Sequence, residues 1–426
     1  MVGHGRRFVL GGMLAAPFVR AARAQDRTLQ VWHDLGENGT KWFAEAATAF
    51  AAEEPGVQVR AVSYPTDQWF GRSIGALNTG TGPDLLFNNY ERVIRVATQT
   101  SKVADMRPVL AAAAGRGATL SDDDLRVATY AGRMVILPVQ RVQMAFGVRT
   151  SWLERVGEPF PRTWADARRV GQKFQGEGGS KQFGFALQAA KPRDLVHMLD
   201  LFTFGAGLRH TLVDPGGKVV FNEPQHAEVL EGFLRVFTTD RLVAPDTINH
   251  SFGEMYQMIE GGRAGMFRVG DWNVAKWDGP ATLKGDFTVG PWPAHVPGLP
   301  GQVVVGGMRG VALPEGGKQP ELAARFAAFL LSKPAQQASL KLLGAAVRTD
   351  LDTDGLSERQ RRFAKPDWPL AAYDFPEASL PWYPELEAAF HRRLLGAIAS
   401  PPPAIGVFIA QLGSDMQAQA QALQKT

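Results

Sequence analysis

At 426 residues the chain exceeds what one hydrophobic core ordinarily supports, and its 45% hydrophobic and 21% charged side chains are those of a globular protein, so two domains are expected. The formal charge of +4 comes from four arginines (Arg6, Arg7, Arg20, Arg23) in residues 1–24, which hold no acid; the rest has 42 basic and 42 acidic side chains, giving no pointer to nucleic acid or an acidic membrane. With no cysteine, disulfides and Cys-ligated metal sites are excluded.

Residues 1–24 read as an export signal. Arg6 and Arg7 precede an apolar stretch from Phe8 to Val19, and Ala22-Arg23-Ala24 offers small residues at the positions a signal peptidase reads, so cleavage is expected before Gln25. The paired arginines followed by Phe8, Val9 and Leu10, with Arg20 and Arg23 beyond the apolar stretch, fit a twin-arginine route, and the general secretory route stays open. Because no cysteine follows, no lipid anchor is expected, and the mature chain is expected free in the periplasm. Later apolar runs are broken within about a dozen residues, too short to cross a bilayer.

In chain order, Thr28 to Trp32 is an extended apolar run ending in the polar, Gly-punctuated loop His33 to Gly39. A helix follows with Trp42, Phe43, Ala46, Ala47 and Phe50 on one face, and Pro55-Gly56 stops it. Val57 to Val62 alternates as a second strand, and Phe70, Ile74 and Leu77 mark a second helix. A Gly80-Thr81-Gly82-Pro83 turn leads into a buried third strand, Leu85 to Phe87, with a polar tip of Asn88, Asn89, Tyr90, Glu91 and Arg92. This β-α-β-α-β order predicts a parallel, doubly wound sheet whose strand tips share one crevice, where ligands of such folds sit.

Farther on, Met134 to Pro138 and Met144 to Val148 are predicted as two strands bracketing Gln140-Arg141-Val142-Gln143. Thr163 is placed to cap a helix and Asp166 to return the capping bond. A largely helical region then runs to about Gly262. Phe287 to Trp292 is a predicted strand, and Pro293 to Gly301 a loop or linker. Val303 to Val305, Gly306-Gly307 and Gly310 to Pro314 lead into a helix with Leu322, Phe326, Phe329 and Leu330 on one face.

Together the stretches Gly80 to Arg92, Gly132 to Val148, Pro161-Arg162-Thr163-Trp164, Phe252 to Trp272 with Gly270-Asp271-Trp272, Gly306-Gly307, and Glu321 to Ala335 resemble the extracellular solute-binding proteins of ABC importers, in the carbohydrate-binding group of the maltodextrin and glycerol-3-phosphate binders. The resemblance implies an α/β fold of two lobes, two doubly wound sheets joined by crossing hinge strands and closing on a ligand. Lobe one would hold residues 26–139 and 294–331, and lobe two 140–292 and 332–426. It implies a monomer that carries a sugar, without cofactor or metal, to a membrane permease driven by an ATPase. Glycerol 3-phosphate, a glycerophosphodiester or a polyol are alternative ligands. A secreted glycosidase would need two converging carboxylates, which are not evident here, and no Ser/His/Asp constellation, His-Glu-x-x-His or phosphate loop is present.

Sugar sites pair a few placed polar groups with aromatic walls. The expected ligand residues are Trp32, His33 and Asp34 at the first strand's end, Tyr64 near the second, and Asn88, Tyr90, Glu91 and Arg92 at the third. Gln140, the stacking candidate Trp272, Gly306, Gly307 and Arg348 complete the set. Met308 or Arg309 is a further candidate beside the two glycines, and Trp69, Arg141, Gln188, Trp382 and Tyr383 are weaker ones. Arg348 lies where the chain departs from the resemblance, Ala345 to Arg348 lacking the proline common there.

Overall fold

The computed structural model describes residues 1, 27–118, 120–372 and 380–425. The export signal and its cleavage site after Ala24 fall outside the described residues. Strand β1 (Thr28–His33) points Leu29, Val31 and His33 inward. The helix Gly36–Phe50 buries Trp42, Phe43, Ala46 and Phe50, the face expected from the 3.6-residue repeat. Strand β2 (Gln58–Ser63) and strand β3 (Leu85–Asn89) flank β1 and run parallel to it. Gly80 ends the helix Thr66–Thr79 at φ +70°, a left-handed cap that costs glycine little. Asp84 then pins the start of β3: its carboxylate accepts the backbone N–H groups of Gln30 at 2.8 Å and Gln319 at 3.1 Å.

The expected pair of strands around Gln140 to Gln143 is instead one. After a small hairpin of β4 (Thr129–Tyr130) and β5 (Arg133–Met134), strand β6 runs unbroken over Leu137–Val148. Strands β7 (Phe183–Phe185), β8 (Ala264–Gly270) and β9 (Thr288–Gly290) follow, then β10 (Val303–Ala312) and β11 (Leu370–Ala372). Nine described strands make one mixed sheet in the order β2-β1-β3-β10-β6-β8-β7, with β9 on β6 and β11 on β10. The crossing strands expected to join the two sheets are β6 and β10, which are hydrogen-bonded to each other and to strands of both halves, so that the two form one continuous sheet. The upper part of β10, Arg309 to Ala312, pairs with β3, whereas Val303 to Val305 pairs with β11. Between the two, the β6–β10 register slips at Gly306-Gly307, and Gly307 has φ +118°, a conformation side-chain-bearing residues rarely adopt.

The second half has its own aromatic core, with Phe146, Trp164, Phe202, Trp292 and His295 in mutual contact. Thr163 and Asp166 form the expected capping box on the helix Trp164–Gly178. The helices Pro192–Gly205, Pro224–Phe237, Tyr383–Ala399 and Ile405–Leu423 pack on one another there. The helix Lys333–Leu343 goes the other way. Trp42 Nε1 donates to Ala335 O at 2.9 Å, and Gln336 Nε2 donates to Val139 O at 2.9 Å, so this helix lies with β1–β3 and not with the C-terminal half expected for 332–426.

Candidate functional site

The carboxyl ends of β1 and β3 converge, as parallel strands joined by helices require. Asp34 Oδ2 accepts from Thr66 Oγ1 and from Arg92 Nη1, each at 3.1 Å. Arg92 Nη1 also donates to Asn88 Oδ1 at 3.1 Å, tying both strand tips to the first turn of the helix Tyr90–Thr100. Three polar atoms here are buried without a hydrogen-bond partner: Asp34 Oδ1, Asn88 Nδ2 and Glu91 Oε2. Burying such groups unpaired costs about 1–3 kcal/mol each. They are therefore the natural receivers of an outside hydroxyl.

The β8 side faces them. Arg268 sits in the middle of an otherwise apolar strand and is only 2% exposed. Its guanidinium donates to Tyr256 OH and to His197 Nε2, both at 3.1 Å, and lies 4.5 Å over the Phe252 ring. Burial, helped by the charges of Arg268, Arg193 and Arg92, holds the His197 imidazole well below its usual titration range, so it is neutral and accepts.

Trp272 follows at the start of the helix Asp271–Asp278, its indole N–H donating to Tyr256 OH at 3.2 Å. Two guanidiniums sit over its ring, Arg268 at 5.5 Å and Arg309 at 5.6 Å. Arg309, from β10, also donates to Asn89 Oδ1 at 2.8 Å and so links the β3 tip to Trp272. Asp271 accepts the backbone N–H groups of Gln143 and Trp272, both at 2.8 Å. Burial pushes its carboxyl up to about 7, against the opposing pull of those N–H groups and of Arg309.

The sequence-predicted residues divide accordingly. Asp34, Asn88 and Arg92 are joined directly, Trp272 is joined to the β3 tip through Arg309 and Asn89, and Glu91 stands beside Arg92 in the first turn of the helix Tyr90–Thr100. Tyr90 is buried, its ring beside Gly307, where the φ of +118° rather than crowding disfavours a side chain; Gly306 precedes it in the same register slip. Trp32 and Tyr64 form an edge-to-face pair at 5.1 Å beside the β1 tip, and Trp69 Nε1 donates to Trp32 O.

Three expectations are corrected. His33 is fully buried against Phe43, with Nδ1 accepting from Leu35 N and Nε2 engaging Thr40 Oγ1. Gln140 is fully buried and donates to Ser339 Oγ at 2.8 Å, anchoring the Lys333–Leu343 helix. Arg348 is held by Asp350 and by Arg116 O, and with Arg141 it lines a separate cavity of about 240 Å³. Arg141 itself is ion-paired with Asp124. Of the weaker candidates, Gln188 and Tyr383 are buried, Trp382 half-buried.

Sequence reasoning missed Arg268, Tyr256 and His197. The available signal was a lone arginine inside the apolar run Ala264 to Val269. Among the described residues no group of three His, Asp or Glu side chains could hold a metal ion, and no helix is long and apolar enough to cross a membrane.

A family model described as bacterial extracellular solute-binding protein matches residues 36–337. Among solved structures, an ABC transporter solute-binding protein of Thermotoga lettingae bound with α-D-tagatose superposes with a TM-score of 0.74 at 16% identity, over 93% of this chain and 99% of that one. A solute-binding protein of Agrobacterium radiobacter in complex with ribitol gives 0.72 at 18% identity, over 93% and 98%. The maltotriose-binding protein of Thermus thermophilus, bound with maltotriose, gives 0.68 at 20% identity, over 92% and 99%. At such identities the likeness is one of fold: the two-lobed α/β architecture of periplasmic binding proteins. No curated protein matches the chain.

Proposed function

Because the chain belongs to the bacterial extracellular solute-binding protein family, we propose that it is the substrate-binding component of an ABC importer, which captures a sugar or polyol between its lobes and delivers it to a membrane permease driven by an ATPase. The observation that carries this reading is the set of buried, unpartnered polar atoms of Asp34, Asn88 and Glu91 facing an aromatic and cationic wall built on Trp272. Two carboxylates and an amide, each with an atom that lacks a partner inside the protein, suit the hydroxyls of a sugar, and an indole suits its apolar ring face. The solved relatives bound to tagatose, ribitol and maltotriose support that ligand class.

In this reading the exported protein works in the periplasm as a monomer without a lipid anchor, and releases its solute unchanged. Lobe one comprises β1–β3, the upper half of β10 and the helix Lys333–Leu343; lobe two comprises β7–β9 and the helices packed on them. The slip at Gly306-Gly307, where β10 passes from one to the other, is the hinge.

Thermal unfolding of the chain lacking residues 1–24, against monosaccharides, oligosaccharides, polyols and glycerophosphates, tests this. A ligand at a hundred times its dissociation constant adds about 2.7 kcal/mol to the folded state, enough to raise the midpoint by a few degrees. No shift with any of them overturns the assignment of ligand class, and turnover of a bound sugar overturns the assignment as a carrier.

A further inference from the structure

We infer that the cleft selects an acidic solute: a sugar- or polyol-like compound bearing a carboxylate, phosphate or sulfate, which the Arg268 and Arg309 guanidiniums bind beside Trp272. This inference rests on the solute-binding reading and narrows it.

Several half-buried and buried arginines elsewhere in the chain are matched by acids: Arg92 by Asp34, Arg141 by Asp124, Arg149 by Asp286, Arg193 by Asp200 and Glu387. Arg268 and Arg309 are the exception in the cleft. Neither makes an ion pair among the described residues, although Arg268 is the more deeply buried. The partners of Arg268 are a neutral imidazole, a phenol and aromatic rings, and its Nε is buried with no acceptor. A buried guanidinium needs an anion, since neutral acceptors offset only part of its lost hydration.

Arg309 spends its Nε on Asn89, which leaves the two terminal nitrogens for a second acceptor. Asp271 feels the Arg309 charge but does not neutralise it, because both its oxygens are already held by backbone N–H groups and its burial favours the protonated acid. Two planar, fixed guanidiniums over one indole match the paired oxygens of a carboxylate or an oxyanion ester. Across the cleft, Glu91 and the Asp34–Arg92 pair are left to read hydroxyls.

The test is calorimetric titration of the chain lacking residues 1–24 with matched pairs: glucose and glucuronate, galactose and galacturonate, glucose and glucose 6-phosphate, glycerol and glycerol 3-phosphate, and galactose and galactose 6-sulfate. The acidic member of at least one pair is expected to bind tenfold or more tightly than its neutral partner, with affinity falling as salt rises. Which pair responds separates carboxylate, phosphate and sulfate. Arg309→Gln, at a partly exposed position, and Arg268→Gln are each expected to lower acidic affinity at least tenfold, with the unfolding midpoint of each variant checked alongside. Neutral members binding as well as acidic ones, or an unchanged acidic affinity in Arg309→Gln, would overturn the acidic class while leaving the solute-binding reading in place. Binding of no member overturns the acidic class together with the sugar or polyol assignment.

Discussion

His33 offers a quantitative check on the packing beneath the cleft. Its Nδ1 accepts a hydrogen bond from Leu35 N at 3.2 Å, so Nε2 carries the proton and meets Thr40 Oγ1 at 3.3 Å. Protonating Nδ1 would set two N–H groups against each other in a site with no exposure, and burial lowers the pKa from 6.5 to about 4 despite the nearby Asp34 charge. Each unit is worth about 1.36 kcal/mol, so the shift corresponds to about 3 kcal/mol. The sign follows from proton counting: between pH 6.5 and 4 the unfolded chain binds the proton and the folded one does not. The stabilisation is therefore complete above pH 6.5 and is lost progressively down to pH 4. His33→Asn keeps an acceptor near the Nδ1 position but does not titrate. Urea unfolding of both proteins at intervals from pH 7.5 to pH 4 should show the variant less stable at neutral pH and losing about 3 kcal/mol less on acidification. Its solute affinity at pH 7.5 should match the parent, since neither ring nitrogen faces the cleft. Parallel stability curves, or a collapse of affinity, would refute this account of His33.

Glu91→Ala should weaken solute binding by about 1–3 kcal/mol in a calorimetric titration while raising the unfolding midpoint of the ligand-free protein, because it removes a buried Oε2 that has no partner inside the protein. Trp272→Ala should cost binding a similar amount and also lower the midpoint, since its indole bonds Tyr256 and carries two guanidiniums. Gly344 has φ +74°, and a Cβ there would sit 2.5 Å from Asp271 O. Gly344→Ala is therefore expected to destabilise the fold by about 1–3 kcal/mol, the usual range for backbone strain; an unchanged denaturation midpoint would contradict it.

Much of the fold was legible where its signals are local. The Leu85 to Phe87 run with its polar tip, the Trp42-Phe43-Ala46-Phe50 stripe and the Thr163/Asp166 box each lie within one turn or one strand, and each formed as expected. The tip residues Asp34, Asn88, Glu91 and Arg92 followed from the rule that parallel strands present their carboxyl ends to a ligand. His33 fails on parity: it falls on the inward face of β1 with Leu29 and Val31. Strand β6 read as two pieces because its polar middle is satisfied at long range. Gln140 bonds Ser339, and Gln143 bonds Phe363 O, partners 199 and 220 residues away. The Lys333–Leu343 helix was assigned to the wrong half for the same reason, its docking on Trp42 spanning 293 residues. Arg268 was hidden in an apolar strand, where a lone charge carries no periodicity.

In the proposed mode of action the two halves close on a solute through the Gly306-Gly307 slip. Since the chain contains no cysteine, Glu45→Cys on the helix Gly36–Phe50 and Glu228→Cys on the helix Pro224–Phe237, both exposed, give a single spin-labelled pair, one label on each half. Pulsed electron resonance on this variant, with and without the solute that most raises the unfolding midpoint, measures the distance between the halves directly. A distribution that shortens and narrows on saturation is the predicted result. An unchanged distribution in a protein that demonstrably binds the solute would contradict closure.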